Sequence, residues 1–112
     1  MNISQSHVQG VLVLRFTGRL DQLVADDADQ QMASVLDTGH SRIVVDARGL
    51  DYISSAGLNV LIRASKRLRE SDGRMAVCHL NEHVREVFER GGIADVIPIL
   101  ADVDEAVACV SK

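Results

Sequence analysis

The sequence predicts an α/β fold: a mixed, largely parallel sheet of about five strands, an N-terminal antiparallel hairpin and about four helices. Three observations carry this. Short apolar runs such as Ile43-Val44-Val45 and Met75-Ala76-Val77-Cys78 have the length of buried strands. Between them Leu58, Leu61, Ile62, Ser65 and Leu68 recur at helical spacing. Strands that alternate with helices pair in parallel through right-handed crossovers, whereas Val11 to Phe16 follows a polar first strand after the turn at Val8-Gln9-Gly10 and so reads as a hairpin.

Element by element, Met1 to His7 alternates weakly and forms a frayed first strand. In Val11 to Phe16, Leu12, Leu14 and Phe16 share one face and Val11, Val13 and Arg15 the other, and Gly18 ends the run. A helix is expected from Leu20 to Leu36, with Val24, Ala28, Met32, Val35 and Leu36 inward and Asp26, Asp27 and Asp29 near its positive end. Thr38-Gly39-His40 stops it. The next strand is Arg42 to Ala47, followed by a helix from Ser55 to Glu70 and a turn at Ser71-Asp72-Gly73. After the strand ending at Cys78, Asn81 caps a short helix carrying Val84, Val87 and Phe88 that closes at Gly91-Gly92. Val96 to Leu100 reads as a last strand, placed at an edge because Pro98 lacks the N–H of a central strand. A final helix from Asp102 to Val110 turns Val103, Ala106, Val107 and Val110 inward.

One domain spanning 1–112 accommodates all of this, with no repeat or linker. A net charge of −4 and aromatic content of 3% argue against a nucleic-acid surface, which needs a basic face or stacking platforms. No apolar run reaches membrane-spanning length and no signal peptide is visible, so a cytoplasmic protein without direct membrane insertion is expected. Cys78 and Cys109 then read as reduced thiols.

In open sheets, ligands meet the loops at the carboxyl ends of strands. Three segments should gather there: Gly18-Arg19-Leu20-Asp21, Leu50 to Gly57, and Leu80-Asn81-Glu82. Asp21 would then share a surface with Ser54 and Ser55, which stand where a strand hands over to a helix. A serine at that point caps the helix or carries a phosphate that the unpaired helical N–H groups tolerate. Ala56 and Gly57 are small and open to a partner, with Tyr52 and Ile53 as an apolar anchor beside them.

Other chemistries fare worse. A serine hydrolase needs a base, an orienting carboxylate and usually a Gly-x-Ser-x-Gly elbow, but Ile53 and Ala56 flank the serines and only His79 is at hand. His79 and His83 are split between a strand end and a helix start, unlike a zinc pair on one helical face. The aspartates at 26, 27 and 29 suit a solvated helix start as well as a hard cation. A phospho-aspartate receiver centred on Asp46 would need a second acidic residue beside Asp21 and a lysine after the last strand.

Together, Gly18-Arg19-Leu20-Asp21, Ile43-Val44-Val45-Asp46, Leu50-Asp51-Tyr52-Ile53-Ser54-Ser55-Ala56-Gly57-Leu58, Gly73, and Val84-Arg85-Glu86-Val87-Phe88 with Gly91-Gly92 resemble the STAS domain family. The resemblance is to its anti-sigma-factor antagonist branch, where Asp-Ser-Ser/Thr-Gly-Leu carries a phosphorylated serine. Aligned on Gly57-Leu58, that serine is Ser55; Ser54 replaces the aspartate and is a second candidate acceptor, and Ala56 replaces the next hydroxyl residue. The resemblance implies a binding switch without catalysis or cofactor of its own. It would bind an anti-sigma factor that is also a serine kinase, through Asp21, Tyr52, Ile53, Ser54, Ser55, Ala56 and Gly57, be expelled by phosphorylation at Ser55, and be restored by a serine phosphatase. ATP and magnesium would belong to the partner. The alternative is a STAS subunit that docks on a membrane transporter, such as a lipid-transport permease, without phosphorylation. The basic face Arg63, Lys66, Arg67 and Arg69 is either solvated or part of a docking surface.

Overall fold

A computed structural model describes all residues from Met1 to Lys112. The order is β1 (Asn2–Val8), β2 (Val11–Leu20), α1 (Ala25–Asp37), β3 (Arg42–Ile53), α2 (Ser55–Glu70), β4 (Arg74–Cys78), α3 (Glu82–Arg90), a short 3-10 turn (Ile93–Asp95), β5 (Ile99–Leu100) and α4 (Val103–Val110). The five strands lie side by side in chain order; β1 and β2 are antiparallel and every later pair is parallel. Gln9 and Gly10, with φ of 51° and 81°, make the hairpin turn. Positive φ at both central residues matches the right-handed twist of the strands they join.

Alternation along the strands divides the interior. Leu12, Leu14 and Phe16 join Ile43 and Val45 in a large core covered by α1, α2 and α3. Val11, Val13, Val44, Ala76 and Cys78 face the other way and are sealed by Ala106, Val107 and Val110 of α4. Helices thus cover both faces, as parallel strands require.

Four boundaries differ from expectation. β2 does not end at Gly18 and β3 does not end at Ala47: both continue, to Leu20 and Ile53, paired to each other through Thr17–Gly49, Gly18–Leu50, Arg19–Tyr52 and Leu20–Ile53. The register slips between Arg15 and Thr17 and again between Gly18 and Arg19, and Gly18, at φ 103°, accommodates this within the strand. Leu20 is therefore a fully buried strand end, not the start of a helix; Asp21 to Val24 form a turn and α1 begins at Ala25. The last strand shrinks to Ile99–Leu100, since Ile93 to Val96 coil to bury Ile93 and Ile97. It does lie at the sheet edge, and the Pro98 carbonyl accepts from the Val77 N–H (3.0 Å).

The basic face of α2 is partly spoken for. Arg63 pairs with Asp29 (2.5 Å) and Arg67 with Asp37, both across to α1, so these two cations and Asp29 fasten one helix to the other.

Candidate functional site

The extensions of β2 and β3 carry the site. Backbone N–H of Ser54 donates to the Leu20 carbonyl (3.0 Å), and Asn81 Nδ2 donates to the Leu50 carbonyl (3.0 Å) while its Oδ1 accepts from Val84 N–H (2.8 Å). The three segments expected at the carboxyl ends are thereby tied together. Gly57 makes the junction tight: a Cβ there would stand 2.2 Å from the Leu20 carbonyl oxygen and 2.8 Å from Leu20 Cγ. That space belongs to the end of β2. Gly57, expected to be small and open to a partner, is buried, and Ile53, expected as an apolar anchor with Tyr52, is 1% exposed and reaches the groove only at its floor. They hold the platform from below.

The two serines divide the possible roles. Ser54 Oγ accepts from Gly57 N–H (3.1 Å), which makes it the N-cap of α2. Ser55 occupies the first helical position, exposed, with its hydroxyl held by no intramolecular hydrogen bond. The first turn of α2 has no acidic residue, so nothing offsets the positive end of the helix beneath that hydroxyl.

Beside the serines lies a groove of about 580 Å³. Tyr52, Ile53, Ser54, Ser55 and Ala56 line it as one surface, together with Gln22, His83 and Arg90 from other segments. Asp21 sits next to this surface rather than in the groove: its Oδ1 accepts from Leu23 N–H (3.0 Å) and its Oδ2 lies 3.8 Å from Arg19 Nε, so it shapes the turn. That turn pushes Leu23 into solvent, 91% exposed. The Tyr52 ring is flanked by the Arg19 guanidinium (4.3 Å from its centroid) and by the His83 ring (5.3 Å, 17° between planes). Sequence reasoning missed Gln22, His83 and Arg90 as groove residues, and the exposure of Leu23 in the turn before α1. Leu23 had been absorbed into a helix that starts later, and the position of Asn81 as a cap was the available signal for His83 just behind it.

On the other face of the sheet, Asp46 is 1% exposed, accepting from Arg15 Nε (3.3 Å) and Arg48 N–H (3.0 Å). A carboxylate so enclosed is not presented to a phosphoryl donor as a receiver aspartate would be. Burial, helped by the charges of Asp46 and Asp102, pushes the Cys78 thiol up to about 12, so it stays protonated at neutral pH. His79 groups with Asp46 and Cys78: one donor atom from each lies within 4.8 Å of the others.

Comparison with known proteins agrees with this architecture. The STAS domain model matches residues 2–106. BtrV of Bordetella bronchiseptica, assigned as an anti-sigma factor antagonist, is 37% identical over 112 residues, covering 100% of this chain and 96% of that protein. The anti-sigma F factor antagonist of Paenibacillus polymyxa is 30% identical over 100 residues, 88% of this chain and 86% of that one. A crystal structure from Thermotoga maritima, assigned to the same class, superposes with a TM-score of 0.92 at 22% identity, covering 98% of this chain and 95% of that one. With the family model spanning nearly its whole length and a mixed sheet of the matching topology, this chain belongs to the STAS domain family.

Proposed function

We propose that the protein is an anti-sigma-factor antagonist: it binds an anti-sigma factor with serine-kinase activity and is released when that kinase phosphorylates Ser55. The observation that carries the reading is the division between neighbouring hydroxyls. Ser54 is engaged in capping, whereas Ser55 is exposed and unengaged above an uncompensated helix end. In the transfer, Ser55 Oγ attacks the γ-phosphorus of the kinase's ATP, ADP leaves, and the hydroxyl proton passes to a base of the kinase.

Before transfer, the half-buried Tyr52 and Ala56, which line the groove with Ser55, give the docked kinase an apolar contact area. After it, the phosphoryl group adds about −1.5 to −2 charges. The helix end tolerates that charge, but a desolvated partner surface does not, and the complex separates. Hydrolysis by a serine phosphatase then returns the binding form. No helix of the chain is long and apolar enough to cross a membrane.

The test is incubation with the cognate kinase and ATP, read by intact mass. One added phosphoryl group is expected in the native chain and in Ser54→Ala, and none in Ser55→Ala. Ser55→Asp should weaken kinase binding by at least about 1 kcal/mol. Equal affinity of Ser55→Asp and the native protein would overturn the switch, and copurification with a permease without any mass change would favour docking on a transporter.

A further inference from the structure

We propose that Asp46, Cys78 and His79 form a three-ligand site for a borderline-soft d-block dication, zinc above all, on the face of the sheet that carries α4. Asp46 and Cys78 are register partners on the adjacent strands β3 and β4, so their side chains leave the sheet together. Consecutive residues in a strand normally point to opposite faces. His79 escapes that rule because its backbone turns left-handed at φ 59°, an uncommon state for a residue other than glycine. That turn brings its ring onto the side of its own neighbour, and a carboxylate oxygen, the sulfur and a ring nitrogen end within 4.8 Å of one another.

The donor set selects the ion. A mixed thiolate, imidazole and carboxylate group suits zinc, whereas magnesium and calcium take oxygen donors. Bond lengths of about 2.0 to 2.3 Å to a tetrahedral zinc put its donors about 3.3 to 3.7 Å apart, so side-chain rotations of about 1 Å close the group. The Cys78 thiol proton passes to water as the sulfur–metal bond forms. Carboxylate and thiolate together balance the dication. Arg15, with its side chain 59% exposed, lies over Asp46 as a movable cover, and half-buried His79 is the way in from solvent. Three protein donors leave a fourth position for water or for a group from outside. Clamping β3 to β4 in this way is independent of Ser55 and of the groove beside it.

Cobalt(II) titration of the purified, reduced full chain tests the site, followed by zinc competition against a chromophoric chelator. Bound cobalt should show thiolate charge-transfer absorption in the near ultraviolet and the visible bands of a four-coordinate ion. The charge transfer should vanish in Cys78→Ser and persist unchanged in Cys109→Ser. Because Cys78 is buried and its substitution risks the core, His79→Gln at a half-exposed position is the second arm, with zinc affinity expected to fall at least about tenfold. Absence of charge transfer at saturating cobalt, its survival in Cys78→Ser, or undiminished zinc affinity in His79→Gln would overturn the proposal.

Discussion

The starts of α2 and α4 are built alike and behave differently. Each has a side-chain cap reaching three residues ahead: Ser54 to the N–H of Gly57 at 3.1 Å, and Asp102 to the N–H of Glu105 at 2.9 Å. In α4 the cap is itself a carboxylate, and Asp104 and Glu105 follow it in the first turn. The positive end of that helix is already matched by charge. In α2 the cap is a neutral hydroxyl, no acid follows, and the next side chain is another hydroxyl facing solvent. The lesson is that capping and charge compensation are separable. A helix whose N–H groups are served by a neutral cap keeps its electrostatic attraction for an incoming anion.

That contrast can be broken or sharpened by substitution. The largest effect should come from the packing beneath α2. Gly57→Ala forces a Cβ against the Leu20 carbonyl oxygen, and because the obstacle is backbone it cannot simply rotate aside. A loss of about 3 kcal/mol is expected in urea unfolding, at the upper end for overpacking. The α4 start has no such constraint. Next, Ser54→Ala should cost about 1 kcal/mol, and Asp102→Ala a similar amount, whereas Ser55→Ala should change stability by less than about 0.5 kcal/mol. An equal loss at Ser54 and Ser55 would show that the capping role is shared and would undo the division between them.

The smallest effects address charge directly. Ala56→Glu places an acid in the first turn of α2 and should stabilise the protein by about 0.5 kcal/mol at low ionic strength, a gain that salt erodes. Asp104→Asn in α4 should lose a similar amount. If Ala56→Glu brings no salt-sensitive gain, the end of α2 is not the electropositive site inferred here. Thermal or urea unfolding at two salt concentrations reads both variants.

The element that sequence described best is α2, from Ser55 to Glu70, because everything that specifies it is local. A capping serine precedes it, apolar residues recur at its period, and a turn of Ser, Asp and Gly follows. Asn81 and Asp102 announced α3 and α4 in the same way. The second halves of β2 and β3 were illegible for the opposite reason. Gly18, Arg48, Gly49 and Asp51 have weak strand preference, and only their mutual pairing makes them strands. That misreading moved the start of α1 and hid Leu23. The added strand length also buries Ile53 and Gly57, which residue type and motif position had marked for a partner.

Sequence alone determined the kind of fold, the starts of α2, α3 and α4 and the motif that contains Ser54 and Ser55, because helical period and capping act over three or four residues. Tertiary structure decided where Leu23 emerges and that Asp46, Cys78 and His79 meet. Those outcomes depend on pairing between strands distant in the chain and on one left-handed residue after β4, neither of which is encoded by any short run of residues.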